Sequence, residues 1–187
     1  MTTVLPDHVE DRAGLLVRRW LPDDAEALGR AVAESADHLR PWFGWIAEEP
    51  VPLELRRARL REWERDWSRG GDMIVGAFLD GRIAGGGGLH HRIGEGGLEI
   101  GYWIHPSFLR RGLATRAARL LTDAAFTVPG ITRVEIHHDK ANRASAGVPR
   151  KLGFEWIGET PDEAEAPAEL GIECRWRMEK EVWLARR

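Results

Sequence analysis

Gly101-Tyr-Trp-Ile-His-Pro106-Ser-Phe-Leu-Arg-Arg-Gly-Leu-Ala-Thr115 is the stretch from which the rest of the chain can be read. An apolar, strand-like run, Leu98 to Ile104, stops before Pro106. A short basic turn follows, Leu109-Arg-Arg-Gly-Leu-Ala114. From Thr115 to Phe126 apolar residues recur at three- and four-residue steps (Ala118, Leu121, Ala125; Leu120, Ala124), which predicts a helix. Strand, Gly-bearing basic turn and helix start together offer unpaired backbone N–H groups to an anionic ligand. Arg116 and Arg119 fall in the first helical turn, and no acid occurs between Glu99 and Asp123. Helix starts favour acids, so these Arg residues predict a negative group supplied from outside.

Upstream, Leu15 to Trp20 reads as a first strand. Leu21-Pro-Asp-Asp-Ala-Glu26 is a helix start, with Asp23 as candidate cap and Glu26 three residues on; the helix is expected to reach about Ser35. An aromatic connection broken by Pro41 leads to Pro52, which opens a second helix with Leu53, Leu60, Trp63 and Trp67 on one side. Gly70-Gly71 ends it. Met73–Leu79 and Arg82–Leu89 form a hairpin around Asp80-Gly81. The glycines from 85 to 88 predict a bulge or the close approach of a backbone or ligand.

Downstream, Arg133 to Asp139 is a strand, and Asn142 to Leu152 contains a short helix in which Pro149 is tolerable only in the first turn. Gly153 to Ile157 starts a strand, and Glu173 to Trp183 alternates into a last one. Between them, Glu159 to Glu173 is acidic and Pro-bearing, the composition of a mobile surface loop. The whole order predicts an α+β (mixed α/β) fold: a twisted, mostly antiparallel sheet of six to seven strands with helices on both faces. The 187 residues are expected to form a single domain, residues 1–187.

Charged residues make up 30% and the net charge is −3, which argues against broad nucleic-acid binding. Cys174 is the only cysteine, so no internal disulfide forms and a reducing cytoplasm is the simple reading. The amino-terminal Met-Thr-Thr-Val-Leu-Pro-Asp-His lacks an apolar signal core, and no apolar run is long enough for a membrane span. One cysteine and no His-Glu-x-x-His predict no metal.

Three segments in this order resemble the GNAT superfamily of acyl-CoA-dependent N-acyltransferases, and within it the RimJ/RimL branch of ribosomal-protein N-terminal acetyltransferases. Gly101-Tyr-Trp-Ile-His-Pro106 resembles the strand that binds the pantetheine arm. Arg111-Gly-Leu-Ala-Thr115 resembles the end of the pyrophosphate loop. Asn142-Arg-Ala-Ser145, followed by Arg150-Lys-Leu-Gly-Phe154, resembles the family's Asn-x-x-Ser and Lys-Leu-Gly-Phe. Leu39-Arg-Pro-Trp42 also suits the RimL-like branch, and the likeness spans about residues 12–183. The resemblance implies acetyl-CoA as co-substrate, bound by Trp103, Ile104, Leu109, Arg110, Arg111, Gly112, Leu113, Ala114, Thr115, Asn142 and Ser145. Leu109 departs from the loop pattern, which usually leads with Arg or Gln; the loop works largely through backbone N–H groups.

Acyl transfer to an amine needs a deprotonated amine, a donor for the oxyanion and a proton for the leaving thiolate. A backbone N–H near Trp103 and Ile104 can serve the oxyanion. The tyrosine that many GNAT members use as acid has no counterpart, since Tyr102 is the only tyrosine and lies in another segment. The resemblance makes Ser145 the candidate acid; taken alone, it reads first as a cap of the short helix. Glu99 alternates with Gly101 and Trp103 on one strand face, where it could take a proton through water or anchor a cationic amine. His90-His91 and His137-His138 are weaker base candidates, since neighbours on a strand face opposite ways. Trp42 and Trp45 are candidates for an acceptor-pocket wall.

The expected activity is therefore transfer of an acetyl group from acetyl-CoA to a primary amine, either a protein N-terminus or a small molecule, by direct attack in a ternary complex. A non-catalytic acyl-CoA-binding module on the same fold is the alternative. The acceptor is not legible, and oligomeric state stays open; pairing through an edge strand would give a homodimer.

Overall fold

Asp80 (φ 52°) and Gly81 (φ 72°) close the hairpin between β3 (Met73–Leu79) and β4 (Arg82–His90). Positive φ at both turn positions matches the twist of the strands they join. Around this hairpin lie β1 (His8–Glu10), β2 (Leu16–Arg19), β5 (Gly97–Ile104), β6 (Arg133–Asp139), β7 (Glu155–Pro161) and β8 (Ile172–Glu179). In the computed structural model, which describes residues 7–186, these strands form one sheet in the order β1-β2-β3-β4-β5-β6-β8-β7. Every neighbouring pair is antiparallel except β5–β6. The α+β class is as expected, with an eighth strand: β1 has three residues, too few to show periodicity. Residues 1–6, read above as lacking a signal core, lie outside the described residues.

Helices α1 (Ala25–Leu39) and α2 (Leu53–Ser68) pack on one face of the sheet. Their core is Trp20, Leu28, Val32, Leu39, Leu60 and Phe78. Helices α3 (Leu113–Ala125) and α4 (Arg143–Leu152) cover the other, against Leu98, Ile100, Val134 and Ile136. Fully buried Leu, Ile and Val of this kind contribute roughly 1.5–3 kcal/mol each. The glycine strand makes the close approach its composition predicts: a Cβ at Gly86 would stand 2.8 Å from the Trp103 indole nitrogen. The Trp103 ring therefore lies over bare backbone, on the α1/α2 face.

Four local expectations change. Asp24 rather than Asp23 organises the first helix start: its carboxylate accepts the Leu21 N–H at 2.8 Å and Arg18 at 2.6 and 2.9 Å. Helix α1 runs past Ser35 to Leu39, which is buried in the core. Pro149 lies in the interior of α4, not its first turn, because the helix starts at Arg143. The chain after Glu179 turns into a short helix, α5 (Lys180–Leu184), which brings the Trp183 indole N–H to Asp123 of α3 at 2.7 Å.

The acidic segment is not a free loop. β7 extends through Pro161, and the Asp139 carboxylate accepts the N–H groups of Leu170 (2.9 Å) and Ile172 (3.2 Å). Glu169 accepts those of Glu165 and Ala166, and the Ala168 N–H reaches the Pro41 carbonyl at 3.0 Å. Side chain–backbone bonds do here what helix or sheet would do elsewhere.

Candidate active site

β5 and β6 pair at only three positions, Gly97↔Arg133, Leu98↔Val134 and Glu99↔Glu135. Beyond them β5 stays with β4 as far as Ile104, and β6 stays with β8 as far as Asp139. The two strands part, and a cavity of about 220 Å³ opens in the gap. The His105 N–H donates to the Ala84 carbonyl at 2.9 Å, which fixes the alternation along β5. The polar backbone groups of Gly101 and Trp103 face β4, whereas those of Ile100, Tyr102 and Ile104 face the gap. Of the two residues expected to offer an N–H, alternation selects Ile104, and Trp103 contributes its ring to the opposite face instead.

The basic turn follows directly. Leu109 is extended and 39% exposed, Arg110 has φ 58° and Gly112 has φ 73°. Gly112 is the residue before α3, and no side chain caps that helix. Among the described residues, the N–H groups from Arg110 to Thr115 donate to no backbone carbonyl. Leu113 is buried and anchors the turn, while Ala114 and Thr115 are half-buried. Such a run of free N–H groups at a helix start fits an anion without any side chain from position 109. Arg111 is exposed and lies over the Phe108 ring, its guanidinium carbon 5.4 Å from the centroid. Arg116, read from sequence as awaiting an outside anion, is already engaged. Asp11 binds it at 2.6 and 2.8 Å, and the Arg116 hydrogen bond holds the Asp11 carboxyl at about 2, well below the usual range.

Asn142 caps α4: its Oδ1 accepts the Ser145 N–H at 3.0 Å. Ser145 is thus the capped residue rather than the cap, and both line the cavity. Its hydroxyl lies 3.0 Å from the Tyr102 phenol, which also reaches the Ser145 carbonyl at 3.2 Å. Tyr102 comes from β5, on the side packed against α3. Sequence reasoning set Tyr102 aside; the local sign of the contact was Pro149, which cannot donate to the carbonyl four residues before it.

On the α1/α2 side the gap is charged. Glu99 and Glu135 are buried neighbours across the three-residue ladder. The Arg92 guanidinium forks onto both Glu99 oxygens, with Nε at 2.7 Å. Arg177 binds Glu135 at 2.7 Å. His137 bridges Glu135 (2.7 Å) and Glu173 (3.0 Å), with Glu99 at 3.5 Å. Burial alone would lower the His137 pKa, but the Glu135 hydrogen bond and the charges of Glu99 and Glu173 raise it. It therefore favours the protonated form and makes a poor base. Glu99 does share its face with Gly101 and Trp103, and Arg92, which the sequence reading did not single out, is its partner.

Trp42 lines this side, and Phe43 stands beside it in the wall. Trp45 does not line the cavity: it is 40% exposed and packs on Phe43 with centroids 5.8 Å apart. His138 is structural, since its ring accepts the Trp176 indole N–H at 3.1 Å and its other nitrogen meets the Asp139 carbonyl at 2.8 Å. His90 pairs with Asp72 at 2.8 Å on β4, and His91 is exposed. No group of His, Cys, Asp and Glu suited to a metal occurs among the described residues. A larger groove, about 790 Å³, runs between α1 and the β3–β4 hairpin. Its lining includes the Arg18–Asp24 pair and none of Tyr102, Asn142 or Ser145, so its size carries no chemistry for this site.

Residues 14–155 match the acetyltransferase (GNAT) domain family. The chain is 30% identical over 151 residues to the putative ribosomal N-acetyltransferase YdaF of Bacillus subtilis (strain 168), covering 79% of this chain and 81% of that protein. A shorter stretch of 56 residues, 30% of each chain, is 43% identical to spermidine N(1)-acetyltransferase of Escherichia coli (strain K12). Among solved structures, a probable acetyltransferase superposes with a TM-score of 0.84 at 26% identity, covering 94% of this chain and 98% of that one. RimL, a ribosomal L7/L12 alpha-N-protein acetyltransferase in complex with coenzyme A, shares the fold, with a TM-score of 0.82 at 19% identity over 96% and 99% of the two chains. A divided sheet with a bare N–H turn at its mouth and this extent of likeness lead to one assignment: the chain belongs to the GNAT acetyltransferase family.

Proposed function

We propose that the protein transfers an acetyl group from acetyl-CoA to a primary amine by direct attack, with both substrates bound at once. The observation that carries this reading is the gap between β5 and β6, which is lined differently on its two faces. Tyr102, Asn142 and Ser145, with the turn at 109–115 beyond them, suit a thioester and its anionic tail. Glu99, Glu173 and the acids at 162, 163, 165 and 169, beside Trp42 and Phe43, suit a cation with an apolar body. The amine is drawn in as its ammonium form, loses a proton and meets the carbonyl across the gap. Holding both reactants in one cavity supplies much of the rate, since effective molarity alone is worth up to about 7–11 kcal/mol.

Ser145 donates to the departing sulfur, and Glu99, clamped by Arg92, holds the amine on the other side. The Ile104 N–H is the donor for the oxyanion. Cys174 supports attack without an acyl-enzyme: it lines no part of the cavity, and burial pushes its thiol pKa up, against nucleophilic use. The likeness to YdaF, a putative ribosomal N-acetyltransferase, supports a ribosomal-protein amine as acceptor, ahead of a small amine.

Thiol release from acetyl-CoA, followed with a panel of amines and N-terminal peptides, tests the reading. Intersecting double-reciprocal lines are expected; parallel lines would mean a covalent intermediate, and no turnover on any acceptor would reject the activity. Ser145→Ala should lower kcat about 100-fold with little change in acetyl-CoA affinity. Wild-type turnover in that variant would remove Ser145 from the role.

A further inference from the structure

We propose that Tyr102 is the positioning residue that aims the Ser145 hydroxyl into the cavity, an inference that rests on the role given to Ser145 above. Ser145 is gripped at three atoms. Its N–H donates to Asn142 Oδ1 at 3.0 Å, and its Oγ and carbonyl lie 3.0 and 3.2 Å from the Tyr102 phenol oxygen. In an ordinary helix that carbonyl would accept the N–H of the residue four positions on. Here that residue is Pro149, which has no N–H. That carbonyl, without its helical donor, accepts instead from the Tyr102 phenol of β5.

The phenol carries a single proton. Shared in a three-centre hydrogen bond between the Ser145 carbonyl and Oγ, it makes Oγ an acceptor from Tyr102, and Oγ then keeps its own proton to give. That proton then has the cavity as its outlet. Two contacts from one rigid ring also confine the serine side chain to one rotamer, where an isolated serine samples three. Tyr102 stays protonated while it does this: burial pushes its pKa up to about 12. It is a fixed donor, not a proton carrier.

The transfer balances without a proton from the phenol. The C–N bond forms and the C–S bond breaks, and sulfur leaves with the bonding pair. The sulfur takes the Ser145 proton. The ammonium substrate gives up two protons in becoming an amide: one goes to solvent before attack, and the second returns through water to Ser145. Amide, thiol and one free proton are the products, and Ser145 and Tyr102 end as they began.

Tyr102→Phe keeps the ring and removes only the donor. With the amine or peptide that the wild-type protein acetylates best, this variant, Ser145→Ala and the double variant are compared. Tyr102→Phe should lower kcat by about 10- to 100-fold, with the KM for acetyl-CoA within about twofold of wild type. The double variant should be no slower than Ser145→Ala alone, because the two residues act as one unit. A general weakening of the fold would shift both KM values and the unfolding temperature instead. In a crystal structure of Tyr102→Phe, the Ser145 side chain should occupy more than one rotamer. Wild-type kcat in Tyr102→Phe, additive losses in the double variant, or a single unchanged Ser145 rotamer each overturns the proposal while Ser145→Ala remains slow. A fast Ser145→Ala beside a slow Tyr102→Phe would overturn both readings and make the phenol itself the donor.

Discussion

The two faces of the gap between β5 and β6 are a few ångströms of backbone apart and chemically opposed. The α3/α4 face presents hydroxyls, an amide and bare N–H groups, and Asp11, which reaches the start of α3, is locked onto Arg116. The α1/α2 face presents a buried weave of carboxylates, held by Arg92, Arg177 and His137 and rimmed by Trp42 and Phe43. A strand makes this division possible. Successive side chains leave it on opposite sides, so Tyr102 and its neighbours Gly101 and Trp103 belong to different faces of the gap. On the function proposed above, selectivity for an anionic donor and a cationic acceptor needs no separate domains, only a sheet that parts at the right residue.

The largest test of the division is at the turn. Gly112→Val puts a β-branched side chain at φ 73°, where the left-handed backbone is strained by about 1–3 kcal/mol. It should raise the KM for acetyl-CoA about tenfold or more and leave the amine KM alone; equal changes in both would mean that the faces are not independent. Glu99→Gln should do the reverse, raising the amine KM by about tenfold while acetyl-CoA binds as before. A loss of acetyl-CoA affinity in that variant would place Glu99 on the wrong side of the division.

The smallest effect concerns acid and stability. The Asp11 carboxyl lies at about 2 when folded, below its unfolded value of 3.8, so its pairing with Arg116 stabilises the fold fully above about pH 4. That contribution fades as pH falls toward 2. Urea unfolding of wild type and Asp11→Asn should therefore differ more at pH 6 than at pH 3. A constant difference would mean that the pair is not what ties the amino-terminal segment to α3.

Much of this fold was legible because its punctuation is local. Asp80-Gly81 dictates a hairpin, and Arg111-Gly112 dictates a turn into a helix, whatever the rest of the chain does. Of the candidate site, the turn came from the same short-range signals, whereas Asn142 and Ser145 came from the resemblance of Asn142-Arg-Ala-Ser145 to a family motif. The contacts that finish the site are of another kind. Tyr102 meets Ser145 across 43 positions of sequence, and Arg116 meets Asp11 across 105. No periodicity encodes such pairs, and an Arg at a helix start looks equally available whether or not an Asp waits elsewhere. Trp45 and Phe43 were exchanged for a related reason. Both are aromatic, and only the fold of the turn decides which ring faces inward. The acidic segment looked loose because its order comes from Asp139 and Glu169 side chains, not from a repeating pattern.

The parting of β5 from β6 after Glu99 and Glu135 has a mechanical side. Five strands, β1 to β5, lie on one side of the seam and three, β6, β8 and β7, on the other. Three residue pairs stitch them at one end, so the seam is a hinge with its open end at Ile104 and Asp139. Whatever lodges between the strands bears on both halves and becomes a strut. Occupancy of the cavity is thus felt as stiffness across the whole sheet, and the amide hydrogens of Tyr102 and Ile104 are the gauges on which it would register.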